Sequence, residues 1–107
     1  MNMVKNNEIA WADLGGGIRR KVLAHTKDDM VVEVQFEKGG VGAQHSHPHA
    51  QCTYVLSGTF VFSAGEQEYT VSQGDTLAFA QNETHGCVCT AAGTLVDFFS
   101  PMRDDFL

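Results

Sequence analysis

Three of the five histidines of this 107-residue chain lie within the run HSHPHAQ, residues 45–51. On an extended strand, residues two apart point to the same face. His45 and His47 therefore aim together, and their imidazoles can chelate one metal ion. Pro48 breaks the ladder and redirects the chain, so His49 need not follow that pair. Gln51 opens the next extended run and can turn its amide oxygen back toward the same point. A fourth donor, His85, comes from the turn NETH far along the chain. Mixed imidazole and oxygen ligation suits one divalent metal ion: Ni, Zn, Mn, Fe or Co. No carboxylate accompanies the histidines. A site with a neutral amide in that place keeps the full positive charge of the metal, favours anionic ligands and acts as a Lewis acid. It is less suited to stabilising high-valent iron.

The C-terminal run TLVDFFSPMRDDFL carries a second set. By period two, Leu95, Asp97 and Phe99 share one face. If that face looks inward, Asp97 is a carboxylate among apolar neighbours, where burial raises its pKa and a nearby metal lowers it. Such a group is a candidate general acid–base. The alternative is that Asp97 faces solvent or caps a turn. Phe99 would line a pocket and pack on a flat substrate. Arg103, just past Pro101, either clamps a substrate carboxylate or forms a surface ion pair.

Positioning these groups requires strands. Gly, Asn and Asp interrupt the chain every 8–12 residues or so, the spacing of an all-β sandwich or barrel. Extended runs are read at 18–25, 30–36, 51–57, 59–64, 67–71, 76–80, 86–90 and 94–100, with TKDD as a turn and Gly58 as a hairpin signal between 51–57 and 59–64. Helical periodicity is absent, and PMRDDFL either makes one turn or lies extended. A chain of this length predicts one domain, residues 1–107. Closing a small sheet into a jelly-roll hides its edges and leaves an interior for a small ligand.

Composition excludes several partners. The net charge is −6 without a basic run, which argues against nucleic acid, whose binding rests on Lys and Arg neutralising phosphates. No apolar run reaches the roughly 18–20 residues that span a bilayer, and the first ten residues lack a secretory apolar core, so a cytoplasmic location is expected. The three cysteines, Cys52, Cys87 and Cys89, are an odd number without zinc-ribbon spacing, and are read as buried, reduced thiols.

Two longer patterns gather these residues. Gly39, His45, His47, Gln51 and Gly58 spell G-x5-H-x-H-x3-Q-x6-G; Gly74, Ala80, Asn82, His85 and Cys89 spell G-x5-A-x-N-x2-H-x3-C. They resemble the two cupin motifs, with Gln51 for the usual Glu, and Ala80, Asn82 and Cys89 for Pro, Gly and Asn. Asn82 can serve for the glycine because Asn tolerates a left-handed backbone. The resemblance implies a cupin jelly-roll β-barrel, a double-stranded β-helix, with His45, His47, Gln51 and His85 as metal ligands. HSHPHAQ, THGC and the ending D-x-F-S-P-x-R-D-D-F-L further resemble the small single-domain cupins of the pectin-degradation protein KdgF family. That implies a metal-dependent, isomerase-like enzyme converting cyclic 4,5-unsaturated monouronates from pectin or alginate to linear keto forms. Asp97, Phe99 and Arg103 then occupy substrate-site positions. The alternatives are a non-catalytic cupin that binds a sugar or small acid, and a cupin dioxygenase.

Other residues carry weaker expectations. Tyr54 falls opposite Gln51 by parity and points outward. Trp11 is read as a core or interface residue, Cys87 and Cys89 as inward, His49 as a rim residue and His25 as unrelated. Val96 and Phe98 make the second face of the last strand apolar too. This predicts a homodimer, in which EIAWADLG could cover a neighbouring subunit's sheet.

Overall fold

Runs rich in Val, Phe and Thr form eight strands in the computed structural model, which describes residues 1–107. They are β1 (Ala12–Gly15), β2 (Ile18–His25), β3 (Met30–Phe36), β4 (Val41–His45), β5 (Ala50–Ala64), β6 (Gln67–Ser72), β7 (Thr76–Phe79) and β8 (His85–Ser100). Single 3-10 turns at Asn6–Glu8 and Asp104–Phe106 are the helical parts, and no helix is long and apolar enough to cross a membrane. The sheet order is β1-β2-β3-β8-β5-β6, with β4 on β8 and β7 on β5. This is the all-β jelly-roll expected from the sequence.

β5 and β8 are long enough to serve two layers. Ala50–Val55 pairs with Leu95–Ser100 between β3 and β7, and Phe60–Ser63 pairs with Gly86–Cys89 between β4 and β6. The paired ribbon bends between these halves, where the register slips repeatedly from Val55 to Phe60. Gly58 sits in the bend with φ +81°, a conformation that side chains resist. Gly93 faces it from β8. A Cβ on Gly93 would lie 2.1 Å from the Ser57 carbonyl oxygen and 2.5 Å from the Gly58 Cα.

Gly58 is thus a bulge inside one continuous strand and not the hairpin turn anticipated; Gly65 and Glu66 turn the chain instead, closing the Ala64–Gln67 pair. The runs 86–90 and 94–100 likewise merge into β8. The sequence reading missed the short strands β1 and β4.

Cross-strand register explains where the chemistry lies. On the inner face, Val34, Leu95 and Val55 align as an apolar row. The next row is Val32, Asp97, Thr53 and Leu77, and the one after it Met30, Phe99, Gln51 and Phe79. Polar groups thus enter from strands whose other inward positions are core. Phe60, Met30, Val32 and Val55 are almost wholly buried, each worth roughly 1.5–3 kcal/mol of burial. Alternate residues face outward, so Tyr54 is exposed as expected. Cys52 is exposed as well, against the expectation of a buried thiol, because it has the parity of Tyr54 and not of Gln51. Cys87 and Cys89 are buried.

A methyl group at Gly93 has no room, since the atoms it meets are backbone. Gly93→Ala should cost about 2–3 kcal/mol and lower the thermal midpoint by roughly 10–20 °C, read by circular-dichroism melting. A midpoint within 2 °C or so of wild type would show that the ribbon bends elsewhere.

Candidate metal centre and cavity

His45 ends β4, His47 follows in the loop that Pro48 turns, and His85 begins β8. His45 and His85 are register partners, with ring centroids 4.6 Å apart. The second loop reaches the first through Asn82, whose backbone has φ 63° and whose N–H donates to the His47 carbonyl at 2.8 Å. Asn82 does therefore adopt the left-handed conformation expected of it. One potential ligand atom from each of His45, His47 and His85 lies within 4.8 Å of the others.

The ring orientation of each histidine is fixed by its own backbone neighbourhood. The Nδ1 atoms of His45, His47 and His85 lie 2.8, 3.0 and 2.9 Å from the carbonyl oxygens of Ala43, His49 and Glu83. A carbonyl only accepts, so each Nδ1 carries the proton and each Nε2 keeps its lone pair. Burial holds the His47 and His85 imidazoles below the usual histidine range, in the neutral form that binds metals. The His85 ring stacks on Phe79, centroids 4.1 Å apart, and His47 meets the edge of Phe99 at 5.6 Å.

Two observations fit this cluster to a cation. His85 Nε2 is buried without a hydrogen-bond partner, a costly state for a polar atom. His47 Nε2 lies 3.0 Å from Gln51 Oε1, and both are acceptors. Rotating the Gln51 amide would not help. Its Nε2 donates to Thr53 Oγ1 at 2.9 Å and to Asp97 Oδ1 at 3.3 Å, and the carboxylate demands a donor. Lone pairs converging with no proton between them suit a shared positive charge. His45, His47, His85 and Gln51 could therefore hold a divalent ion.

Asp97 faces inward beside this cluster, half-buried. Thr53 Oγ1 donates to its Oδ1 at 2.7 Å, the same oxygen that Gln51 reaches. Burial pushes the carboxyl up to about 6, against the opposing pull of Thr53, Gln51, His45 and Arg103. Phe99 is buried, and the Arg103 guanidinium lies 5.1 Å from its ring centroid. Arg103 lines the cavity and is also ion-paired: Nε and Nη2 donate to the two Asp105 oxygens at 3.0 and 2.8 Å. Arg103 therefore forms the expected ion pair, but with its side chain largely buried at the cavity wall and not out on the surface.

These groups border one cavity of about 610 Å³ between the layers, into which His45, Gln51, His85, Asp97 and Phe99 all face. Larger concavities lie on the outer face around Cys52 and Phe98 and near Trp11, and none of His45, His47 and His85 lines them. Cys87 lines the inner cavity, its thiol pushed up to about 12 by burial and hence inert. His49 is not among the residues that line the cavity; its ring lies 6.5 Å from that of Phe99, and a ring nitrogen comes within 4.8 Å of carboxylate oxygens of Asp104 and Asp105. His25 lies apart, on the outer groove. Trp11 packs under the cations of Arg19 and Lys21 at the surface. Sequence reasoning missed Thr53 and Phe79. Thr53 was available from period two, being two residues past Gln51, whereas Phe79 needed the β5–β7 register.

Comparison with known proteins agrees with this fold. Residues 32–99 match the Cupin domain family. The pectin degradation protein KdgF of Dickeya dadantii is 39% identical over 104 residues, covering 95% of this chain and 94% of that protein. The structure of KdgF from Halomonas sp. superposes with a TM-score of 0.94 at 38% identity, covering 100% of this chain and 99% of that one. An RmlC-like cupin from Shewanella frigidimarina gives 0.95 at 33% identity, covering 100% and 96%. The chain belongs to the cupin superfamily and, within it, to the KdgF family.

Divalent-metal affinity, measured by competition with a chromophoric chelator, tests the cluster. His85→Ala should weaken binding by more than the 10–100-fold or so that loss of a mere supporting hydrogen bond costs. Gln51→Glu should tighten it by adding a negative ligand. Unchanged affinity in His85→Ala would remove this cluster as the ion's site.

Proposed function

We propose that this protein is a metal-dependent enzyme of pectin or alginate breakdown that converts cyclic 4,5-unsaturated monouronates to their linear keto forms. One observation carries the reading. Three imidazole lone pairs and an amide oxygen converge at one end of a cavity that also holds an inward carboxylate, Asp97, and a guanidinium, Arg103. The names of the Dickeya and Halomonas relatives support the substrate class.

The substrate is a flat anion closed as a cyclic hemiacetal. Opening it removes the proton of the anomeric hydroxyl, whose electrons form the C1 carbonyl as the bond from C1 to the ring oxygen breaks. The ring oxygen leaves with the bonding pair as the enolate on C5. The proton taken from the anomeric hydroxyl then adds at C4 as the enolate oxygen becomes the carbonyl of a 2-keto acid. The reaction is an isomerisation, so protons taken up and released balance.

Asp97 is the proton shuttle. Both donors to its carboxylate fall on Oδ1, which leaves Oδ2 to accept the anomeric proton and deliver one to C4. Thr53 and Gln51 hold the group in place through their hydrogen bonds. Phe99 and Phe79 flank the histidines with apolar surface that keeps water from the enol. Arg103 approaches the substrate with the guanidinium edge that Asp105 leaves free. Held by His45, His47, Gln51 and His85, a divalent ion would supply Lewis-acid stabilisation of negative charge on the substrate oxygens. The net charge of −6 offers an anion no long-range steering, so attraction is local to the cavity.

Loss of the ultraviolet absorbance of unsaturated galacturonate measures the reaction. Metal-replete protein should accelerate it over the spontaneous rate, and a chelator should abolish the acceleration. Asp97→Asn should lower kcat by about 10²–10⁴-fold, the usual worth of a positioned acid–base. No acceleration by metal-replete wild type rejects the reading. Binding without turnover would identify a carrier, and oxygen consumption with a phenolic substrate would identify a dioxygenase.

A further inference from the structure

The inner face of β2 holds a residue that the reaction scheme above does not use. Ile18, Arg20 and Val22 pair with Phe36, Val34 and Val32, which are core residues of β3. Arg20 therefore occupies an inward position between two apolar neighbours, and its side chain lines the 610 Å³ cavity. A guanidinium presents five N–H donors and is always charged. Both ion pairs of the chain lie elsewhere, Lys27 with Asp28 and Arg103 with Asp105. The Arg20 guanidinium makes no hydrogen bond within the chain. Its neighbour is the ring of Phe106, 3.8 Å from the guanidinium carbon to the centroid, and that face takes up none of the N–H donors.

Arg103 lies over the same ring, at 4.2 Å. Two cations thus meet across one aromatic side chain at the edge of the cavity. Burial disfavours the charge of Arg20, and so does Arg103, with Asp105 opposing them from a distance. Like charges brought together beside apolar residues suit an anion placed between them. Asp105 already neutralises Arg103 bidentately. Arg20 has no ion-pair partner of its own.

We propose that Arg20 is the group that selects the carboxylate of the ligand, with Phe106 of the C-terminal turn holding its guanidinium toward the cavity. The ligand class is a monosaccharide uronate, and the assignment rests on the uronate reading above. In that arrangement Arg103 is the auxiliary cation, shared with Asp105, and the neutral sugar of the same shape is the ligand rejected.

Binding separates this assignment from turnover. The probes are D-galacturonate and its methyl ester, titrated calorimetrically into the metal-loaded protein. Wild type should prefer the acid. In Arg20→Gln that preference should fall by about 10–100-fold, the worth of a charge-assisted pair, and Arg20→Lys should restore part of it by returning charge without the fork. Metal affinity and the melting midpoint of each variant serve as controls. Weakening of acid and ester by equal factors would make Arg20 a packing residue only and overturn the proposal. So would an unchanged preference. In the absorbance assay, Arg20→Gln should raise KM with kcat nearly unaltered. Carboxylate selection through Arg20 without turnover by wild type would sustain this assignment while rejecting the proposed reaction. Turnover with a KM indifferent to Arg20→Gln would do the reverse.

Discussion

The contact of Gly58 with Gly93 is the constraint on which the enclosure depends. Two long strands bend together at one point, and backbone meets backbone there with no room for a Cβ. On one side of the bend the ribbon presents Gln51, Thr53, Asp97 and Phe99; on the other it runs to His85. A straight ribbon would spread these residues along a flat sheet open to water. Bending it brings an amide and a carboxylate from one half toward an imidazole from the other. The cavity is thus a product of packing geometry at two residues that carry no chemistry of their own.

Within the cavity, charges are separated from neutral donors. Burial favours the neutral form of His47 and His85, and the Nδ1 protons of His45, His47 and His85 are directed to carbonyls two residues away along the chain. Gln51 adds an oxygen without a charge, while its amide nitrogen serves the Asp97 side. One side chain thereby joins the imidazole cluster to the acid–base candidate. The cations stand at another wall, gathered on Phe106. A ligand bearing a carboxylate at one end and a reactive oxygen at the other matches this division better than a neutral sugar does. The overall negative charge of the chain is consistent with a field confined to the cavity.

Much of this was legible in the sequence because it depends on short periods. Alternation along TLVDFFS put Asp97 and Phe99 on one face, and the spacing of His45, His47 and Gln51 gave three converging donors. What failed depended on distant partners. A glycine between two β-rich runs signals a turn or a bulge equally well; Gly93 decides between them at Gly58, and nothing local reveals that contact. Arg20 was hidden for a similar reason. In IRRKV, basic residues occupy both parities, and only the register with β3 puts Arg20 inside and sends Arg19 to the surface. Arg103 both lines the cavity and pairs with Asp105, two placements that pattern reading could offer only as alternatives.

Adjacent residues on β5 face opposite ways, so Cys52 stands directly behind Gln51 on the outer surface of the same wall. The other two thiols are buried, and that of Cys87 resists ionisation. The native chain therefore carries one addressable attachment point for a thiol-reactive dye, a single peptide unit from the amide that faces the histidines. A fluorophore there would sense occupancy of the interior through the wall without entering it, and no cysteine would first have to be engineered away.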